Sequence, residues 1–405
     1  MELDTGNTAW MLMSSALVML MTPGLGLFYG GLVRKKNVLS TLMHSYFILC
    51  LIAIVWALWG YSLAFGGTGR FVGNLGFIGL RNVGVEPGST GVPDIVFMFF
   101  QMMFAIITVA LISGAFAERK SFKAFIVFAI LWSTLVYSVV CHWIWSAGGW
   151  LFDYGAMDFA GGTVVHIASG VTALIAAMVV GRRVGVEKDG ITPHDIPMTL
   201  IGAGLLWFGW YGFNAGSALA ADGLAASAFI ATTLAGAAAG LAWVAMAWVH
   251  TGKPSVLGCG VGAVAGLVAV TPAAGYVSPL SAMVIGCVGG IVCFSAAELI
   301  RAGGHVDDAL DVFAVHGVGG IWGAIATGIF ADASLNGIGA DGLLYGNPEQ
   351  LVKQIVAVVA VIAYVSVVSF VLLKFVNAVF GLRASEVAES EGLDLSIHGE
   401  TAYQM

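Results

Sequence analysis

The sequence predicts an all-α integral membrane protein of eleven transmembrane helices, and three observations carry that prediction. Hydrophobic residues make up 59% of the 405 residues and charged residues 10%, whereas a soluble domain carries about 25% charged residues. The apolar runs are about 20 residues long, the length a helix needs to cross hydrocarbon and more than a barrel strand uses. Basic residues collect in alternate connections, as they do on the cytoplasmic side of a membrane protein. The 56 glycines suit close helix–helix approach in lipid. A net charge of −7 without a long basic run gives nucleic acid nothing to bind, so the lipid bilayer is the partner that composition names.

The spans run over 8–33, 38–65, 92–116, 121–143, 161–181, 196–218, 224–250, 256–271, 278–302, 313–331 and 349–380. The start, Met1-Glu-Leu-Asp-Thr-Gly, is acidic, and the first span is long and lacks a small-residue cleavage site, so no cleaved signal peptide is expected. One set of connections carries Arg34/Lys35/Lys36, Arg119/Lys120/Lys123, Arg182/Arg183/Lys188, Lys253 and Arg301. With Lys374 and Arg383, 13 basic residues fall on that side, against Arg70, Arg81 and Lys353 on the other. A missed span in the middle would destroy this asymmetry. The N-terminus is therefore expected outside and the C-terminus in the cytoplasm.

Asp158, Val165, His166, Gly170, Ile175 and Ala176 recur 150 positions later as Asp308, Val315, His316, Gly320, Ile325 and Ala326, six identities in 19 positions with no gap. An odd number of spans per repeat makes successive repeats point in opposite directions. Spans 1–5 (repeat A, about 8–181) and 6–10 (repeat B, about 196–331) then form an inverted pair. Span 11 (about 349–380) is extra and completes a transporter domain over 1–380. Span 10 is among the shorter ones, and Gly lies near the start of both His-bearing spans: Gly161 and Gly162, then Gly317, Gly319 and Gly320. Matched short or Gly-interrupted spans point to a transport site. His166 and His316 are the only His deep in spans, and an ionisable residue there is functional by default. Helix arithmetic sets them about 7–9 Å either side of the midplane. They meet only if both helices begin below the membrane surface.

Other candidates are weaker one by one. Phe97, Phe100 and Phe104 share a helix face in span 3, where core packing is the plain reading. Trp143, Trp145 and Trp150 sit where an aromatic belt is expected anyway. Trp210-Tyr-Gly-Phe213-Asn-Ala-Gly-Ser217 closes span 6 at the same outer end. Aromatic rims with a hydroxyl hold small cations, at about 1–2 kcal/mol per desolvated ring. Asp158, at the outer start of span 5, has two readings: a helix N-cap with a structural role, which is preferred, or a charge for a cation. Glu118-Arg119 and Glu298…Arg301 read as interfacial anchors. The five Cys (Cys50, Cys141, Cys259, Cys287, Cys293) read as small buried hydrophobes. Two His do not complete a zinc sphere, and no HExxH, P-loop, GxSxG or dinucleotide fingerprint is present. Neither a metal, a cofactor nor an enzymatic activity is expected.

Taken together, these residues resemble the ammonium transporter family (Amt/Mep, related to Rh proteins). The resemblance spans nearly the whole chain. It rests on Pro23-Gly-Leu-Gly-Leu-Phe-Tyr-Gly-Gly31 with Arg34-Lys-Lys-Asn37, Gly60-Tyr-Ser-Leu-Ala-Phe-Gly66, Asp158 to His166, Gly209 to Ser217, and Asp311-Val-Phe-Ala-Val-His-Gly317. It implies ammonium uptake across the cell membrane, with methylammonium as an analogue, and a homotrimer with one pore per subunit. By the same resemblance Phe104, Trp145 and Ser217 form an outer ammonium site. Phe104 and Phe213 then form the gate, His166 and His316 the pore pair, and Asp158 the support of the outer site. Trp145 with Ser217 favours the Amt branch over the Rh branch. The tail 381–405, with Leu382-Arg383, Glu391 to Asp394 and His398 to Tyr403, is similar to the family's cytoplasmic regulatory tail, which can receive a PII-type signalling protein. By composition alone an acidic tail of this length reads as disordered. Three alternatives stay open: an Rh-like gas channel, a bis-His membrane haem protein, and a sensor that binds without conducting. No kinase or cyclase domain follows the spans, which argues against a fused sensor.

Overall fold

The computed structural model describes residues 2–88, 91–186 and 191–403. Lys188, one of the expected cytoplasmic basic residues, lies outside the described residues. Among them, ten helices are long and apolar enough to cross a membrane: α1 (Thr5–Leu32), α2 (Lys35–Phe65), α3 (Asp94–Phe116), α4 (Phe122–Tyr154), α5 (Gly162–Val180), α6 (Ile196–Ala215), α7 (Gly223–Thr251), α9 (Pro279–Gly303), α10 (Phe313–Phe330) and α11 (Pro348–Phe380). The shorter α8 (Val256–Val270) occupies the place of the eighth expected span. The protein is thus an eleven-helix integral membrane fold.

The caps are written in the sequence. Asp4, Asp195, Asp222, Ser255 and Ser278 each accept the backbone N–H three residues on, and so start α1, α6, α7, α8 and α9. Fifteen residues of α8 cover about 22 Å, short of the hydrocarbon thickness. Buried turns take over: Thr271 accepts from the Trp210 indole N–H at 2.9 Å, and the Pro272 carbonyl accepts Phe159 N–H at 3.1 Å. The fourth span passes its expected end at 143 and breaks only at 146–149, so Trp145 belongs to its helix.

Helix α1 packs on α6, α5 on α10, and α11 against α4, α5 and α10. Cys141 and Cys293 are buried, whereas Cys50, Cys259 and Cys287 are exposed. The expectation that all five are buried fails for these three, because their helices turn that face outward.

The Glu118-Arg119 pair also departs from the interfacial reading. Glu118 is fully buried and adopts a left-handed backbone (φ 70°). Its carboxylate accepts from Arg34 N (2.6 Å), Asn37 Nδ2 (3.0 Å) and Arg183 Nη1 (3.2 Å). Asp307 accepts from Arg119 Nη1 (2.6 Å) and Arg183 Nη2 (2.8 Å). Four connections are tied at one face by these charges. Burial raises the Glu118 carboxyl, but Arg183 and Arg34 outweigh it and hold it below the usual carboxylate range. By contrast Arg301, bonded to Glu298 at 2.5 Å, is half exposed, as an anchor should be.

The tail closes over the same face. Leu393 N donates to Asn37 Oδ1 (2.8 Å). Asp394 accepts from Leu39 N (3.0 Å) and Ser40 N (2.7 Å). Glu389, fully buried, binds Arg383 and Val184 N.

Candidate functional site

The two His-bearing helices start by the same device. Asp158 accepts hydrogen bonds from Gly161 N (2.8 Å), Gly162 N (2.7 Å), Thr163 N (2.8 Å) and Val164 N (3.2 Å), and from the Thr163 hydroxyl. Its carboxylate is spent on the helix N-terminus, and the residue is 7% exposed. Gly161 then takes a left-handed backbone (φ 118°), and the chain enters a wide π-helical turn, Gly162–Ile167, that carries His166. At the matched place Asp308 accepts from Phe313 N (2.7 Å), Asp311 is left-handed (φ 56°), and the π turn Phe313–Gly317 carries His316. Such turns are rare and concentrate at functional sites.

Glycines let the two helices touch. A Cβ on Gly170 would lie 2.1 Å from Gly317 N and 2.9 Å from the His316 carbonyl carbon. One on Gly320 would lie 3.0 Å from His166 Cβ and 2.9 Å from the Gly162 oxygen. Each repeat's glycine therefore seats the other repeat's His segment. The imidazoles meet across this crossing. His166 Nδ1 and His316 Nδ1 are 3.1 Å apart, with ring centroids 5.2 Å apart and planes at 24°. One Nδ1 must donate and the other accept, so two neutral rings hold opposite tautomers. The unbonded Nε2 of His166 is buried.

Aromatic rings lead outward from this pair. His166 stacks on Trp210 (5.5 Å) and Phe213 (5.9 Å). Phe213 lies 4.3 Å from Phe104, which meets Trp145 edge-on at 5.6 Å and 88°. Phe100 joins at 4.9 Å from Phe104. The Trp145 indole donates to the Asp158 carbonyl at 2.8 Å, and the Ser217 hydroxyl donates to the Phe213 carbonyl at 2.9 Å. Trp145 and Ser217 are both half-buried, while Phe104 and Phe213 are buried. Of the other expected aromatics, Phe97 turns away to Phe65 (5.2 Å), and Trp143 pairs with Trp150 (5.5 Å).

Between the rings and the His pair lies a space of about 10 Å³, walled by Leu25, Ile107, Val165, Leu206 and both His. That is room for about one water-sized molecule. On the other side of His316 a cavity of about 870 Å³ opens among Arg183, Glu298, Arg301, Asp308 and Asp311. His316, Phe28 and Val264 wall both.

Two supports escaped the sequence reading. His142 presents both ring nitrogens to backbone carbonyls of the 62–74 segment, Ala64 at 2.7 Å and Gly69, and so fixes the helix that bears Trp145. Gln354 on α11 grips Met157, accepting from its N (2.7 Å) and donating to its O (2.7 Å), next to Asp158. A polar residue in an otherwise apolar span was the available signal for both.

Removing the Asp158 carboxylate orphans these buried donors. Asp158→Ala should cost about 2–4 kcal/mol, more than an ordinary cap. A lower melting temperature in detergent is the expected reading, with changed Trp fluorescence as the freed 158–162 segment shifts the backbone carbonyl that holds the Trp145 indole. Asp158→Asn, which keeps one acceptor oxygen, should fall between.

A narrow apolar passage with two facing imidazoles, inside a bundle of membrane-spanning helices, defines a membrane transport protein. Comparison with known proteins gives the family. The ammonium transporter family model matches residues 9–403. The chain is 51% identical to an ammonium transporter of Bacillus subtilis over 99% of both chains. It is 48% identical to ammonium transporter Amt1 of Archaeoglobus fulgidus over 99% of this chain and 100% of the other. The crystal structure of Saccharomyces cerevisiae Mep2 superposes with a TM-score of 0.89 at 39% identity, covering 95% of this chain and 88% of that one. A sensor Amt protein superposes with a TM-score of 0.89 at 28% identity, covering 97% and 98%. The chain belongs to the ammonium transporter family.

Proposed function

We propose that this protein takes up ammonium across the cell membrane through the passage bearing the His pair. Phe104, Trp145 and Ser217 recruit the cation outside. Its N–H bond breaks at the Phe104–Phe213 gate, the proton going back to water on the outer side or onto the His pair for relay inward, and ammonia passes the His pair. The observation that carries this reading is the 3.1 Å contact between His166 and His316 beside a narrow, largely apolar space with room for about one small molecule.

Energetics favour it. A bare ion in hydrocarbon costs several kcal/mol even after relaxation, and about 20 by the idealised Born estimate. Deprotonating an amine-type acid two units above ambient pH costs only about 3 kcal/mol. Paired imidazoles of opposite tautomer suit the second route, because one accepts while the other donates. The net species carried is ammonia or ammonia plus a proton.

The remaining assignments belong to the same proposal. Residues 1–380 form the transporter domain, with repeats at about 8–181 and 196–331 and the extra helix at about 349–380. Residues 381–405 form a regulatory tail. Its bonds to Asn37, Leu39, Ser40 and Val184 support communication with the helix ends. A homotrimer and a PII-type partner at the cytoplasmic face rest on the family resemblance.

Methylammonium uptake into vesicles tests the His pair. His166→Asp and His316→Ala should each cut initial uptake by at least about tenfold, the low end of what positioned acid–base groups contribute. Wild-type uptake in both would remove the pair from the mechanism.

A further inference from the structure

We propose that Asp308 is the proton-exchange group at the inner mouth of the passage: its Oδ1 hands a proton to ammonia leaving the His pair and then holds the ammonium so formed. This rests on the transport reading above.

The symmetry between the two repeats is broken at one pair of residues. Asp158 and Asp308 occupy matched positions of the two repeats, yet their carboxylates are used differently. All of Asp158 is engaged by four backbone N–H groups and a hydroxyl. Asp308 spends Oδ2 on Phe313 N (2.7 Å), and its Oδ1 is buried with no hydrogen-bond partner. A cap needs one oxygen; the second is unexplained by structure alone. Because a buried, unpartnered polar atom is costly, it marks a place where a ligand or proton is accommodated.

Placement supplies the ligand. Asp308 and His316 wall the same 870 Å³ cavity, so a molecule leaving His316 inward passes into the space this carboxyl borders. Among the described residues no cation is in direct ion-pair contact with it, although the Arg119 charge pulls its carboxyl down. Arg119 and Arg183 are bonded to Asp307, and Arg301 to Asp311 and Glu298. The charged or titratable groups that act on it include Asp311 from its own turn, Arg119 from the α3–α4 connection and Tyr29 from α1, and His316, Arg183 and Glu298 share its cavity wall. Burial, with the Asp311 charge adding, pushes the Asp308 carboxyl up to about 7, against the pull of the Phe313 and Val312 N–H groups. Near neutral pH it therefore exists in both forms, as a proton donor must.

The step balances. The Asp308 O–H bond breaks and an N–H bond forms, giving ammonium beside a carboxylate. The carboxylate takes a proton back from water of the cavity, releasing hydroxide to the cytoplasm. Transfer runs downhill, since an amine-type acid holds its proton more tightly than this carboxyl. The product is a cation that no longer crosses back easily. Because Asp308 donates only when protonated, transport should fall as cytoplasmic-side pH rises through 7.

The test uses full-length protein in vesicles whose lumen faces the cytoplasmic side. Infrared difference spectra between acid and alkaline buffer should show a carboxylic acid band in the wild type that is missing in Asp308→Asn. Asn keeps the acceptor for Phe313 N. Its methylammonium uptake should drop at least about tenfold and lose its dependence on lumen pH, with unchanged half-saturation outside. Asp308→Glu should restore the pH dependence. Identical infrared spectra for wild type and Asp308→Asn, or wild-type uptake with unchanged pH dependence in Asp308→Asn, would overturn the proposal. A wild type that takes up no methylammonium refutes the transport reading instead, and the infrared titration then still decides the protonation of Asp308. Should Asp308→Asn fail to assemble, the Asp308→Glu variant decides: a carboxyl band unshifted from the wild type overturns the assignment.

Discussion

Gly170→Ala should lower methylammonium uptake by one to two orders of magnitude while leaving a folded protein. The added methyl would sit 2.1 Å from Gly317 N and 2.4 Å from Gly317 Cα. Backbone cannot rotate away as a side chain does, so α5 and α10 must separate by about 1 Å to restore van der Waals distance. The 3.1 Å imidazole contact then passes the limit of a hydrogen bond. A misplacement of that size costs about 10²-fold where reacting groups must be aligned. Overpacking itself costs about 1–3 kcal/mol, visible as a lower melting temperature in detergent. Gly204→Ala is the control: a Cβ there meets nothing within 4 Å. It should leave uptake unchanged and stabilise by up to about 1 kcal/mol through helix propensity.

The second large effect is on stability. Glu118→Ala leaves Arg183, buried to within 7% of side-chain exposure, without its second carboxylate, and Arg34 without its partner. Breaking a buried ion pair by removing one partner costs about 3–5 kcal/mol. We expect a fall in melting temperature larger than for any single core methyl removal, and easier proteolysis of the tail, since Val184 beside Arg183 bonds Glu389. The pH dependence has a defined sign. The carboxyl of Glu118 is held below its ordinary value in the folded protein. Its contribution is present above the ordinary carboxylate range and is lost as pH falls through the folded value. Acid should therefore destabilise the wild type and close its gap to Glu118→Ala. A glutamine in its place, isosteric but uncharged, should recover part of the loss.

Much of the architecture follows from patterns that survive without tertiary information. Span length and the 13-to-three basic asymmetry depend only on local composition and membrane sidedness. The recurrence of His166 as His316 within matched surroundings pointed to one pore with a His from each repeat. The contact was out of reach, because straight-helix arithmetic starts each helix at the membrane surface. In the structure the segment before His166 is buried within the protein and held by the Asp158 cap, and a π turn carries the imidazole. Glycine mattered more than its frequency suggested: Gly170 and Gly320 each seat the opposite His segment. Charges were read least well. Glu118 at a span end looks like an interfacial anchor, and only folding brings Arg34 and Arg183 to it from 84 and 65 positions away. The use of Asp308 was equally hidden, since an unbonded oxygen is a fact of geometry, not of spacing.

Ammonium nitrogen is proposed to cross through the passage between Phe213 and His316. The most direct measurement is the rate of luminal pH change in vesicles carrying the purified protein after an ammonium jump outside. Wild-type vesicles should respond faster than protein-free vesicles, and His166→Ala/His316→Ala vesicles should not. A rise in luminal pH identifies ammonia as the net species, and a fall identifies ammonia with its proton. Equal rates in wild-type and protein-free vesicles, or an unchanged rate in the double variant, would contradict the claim.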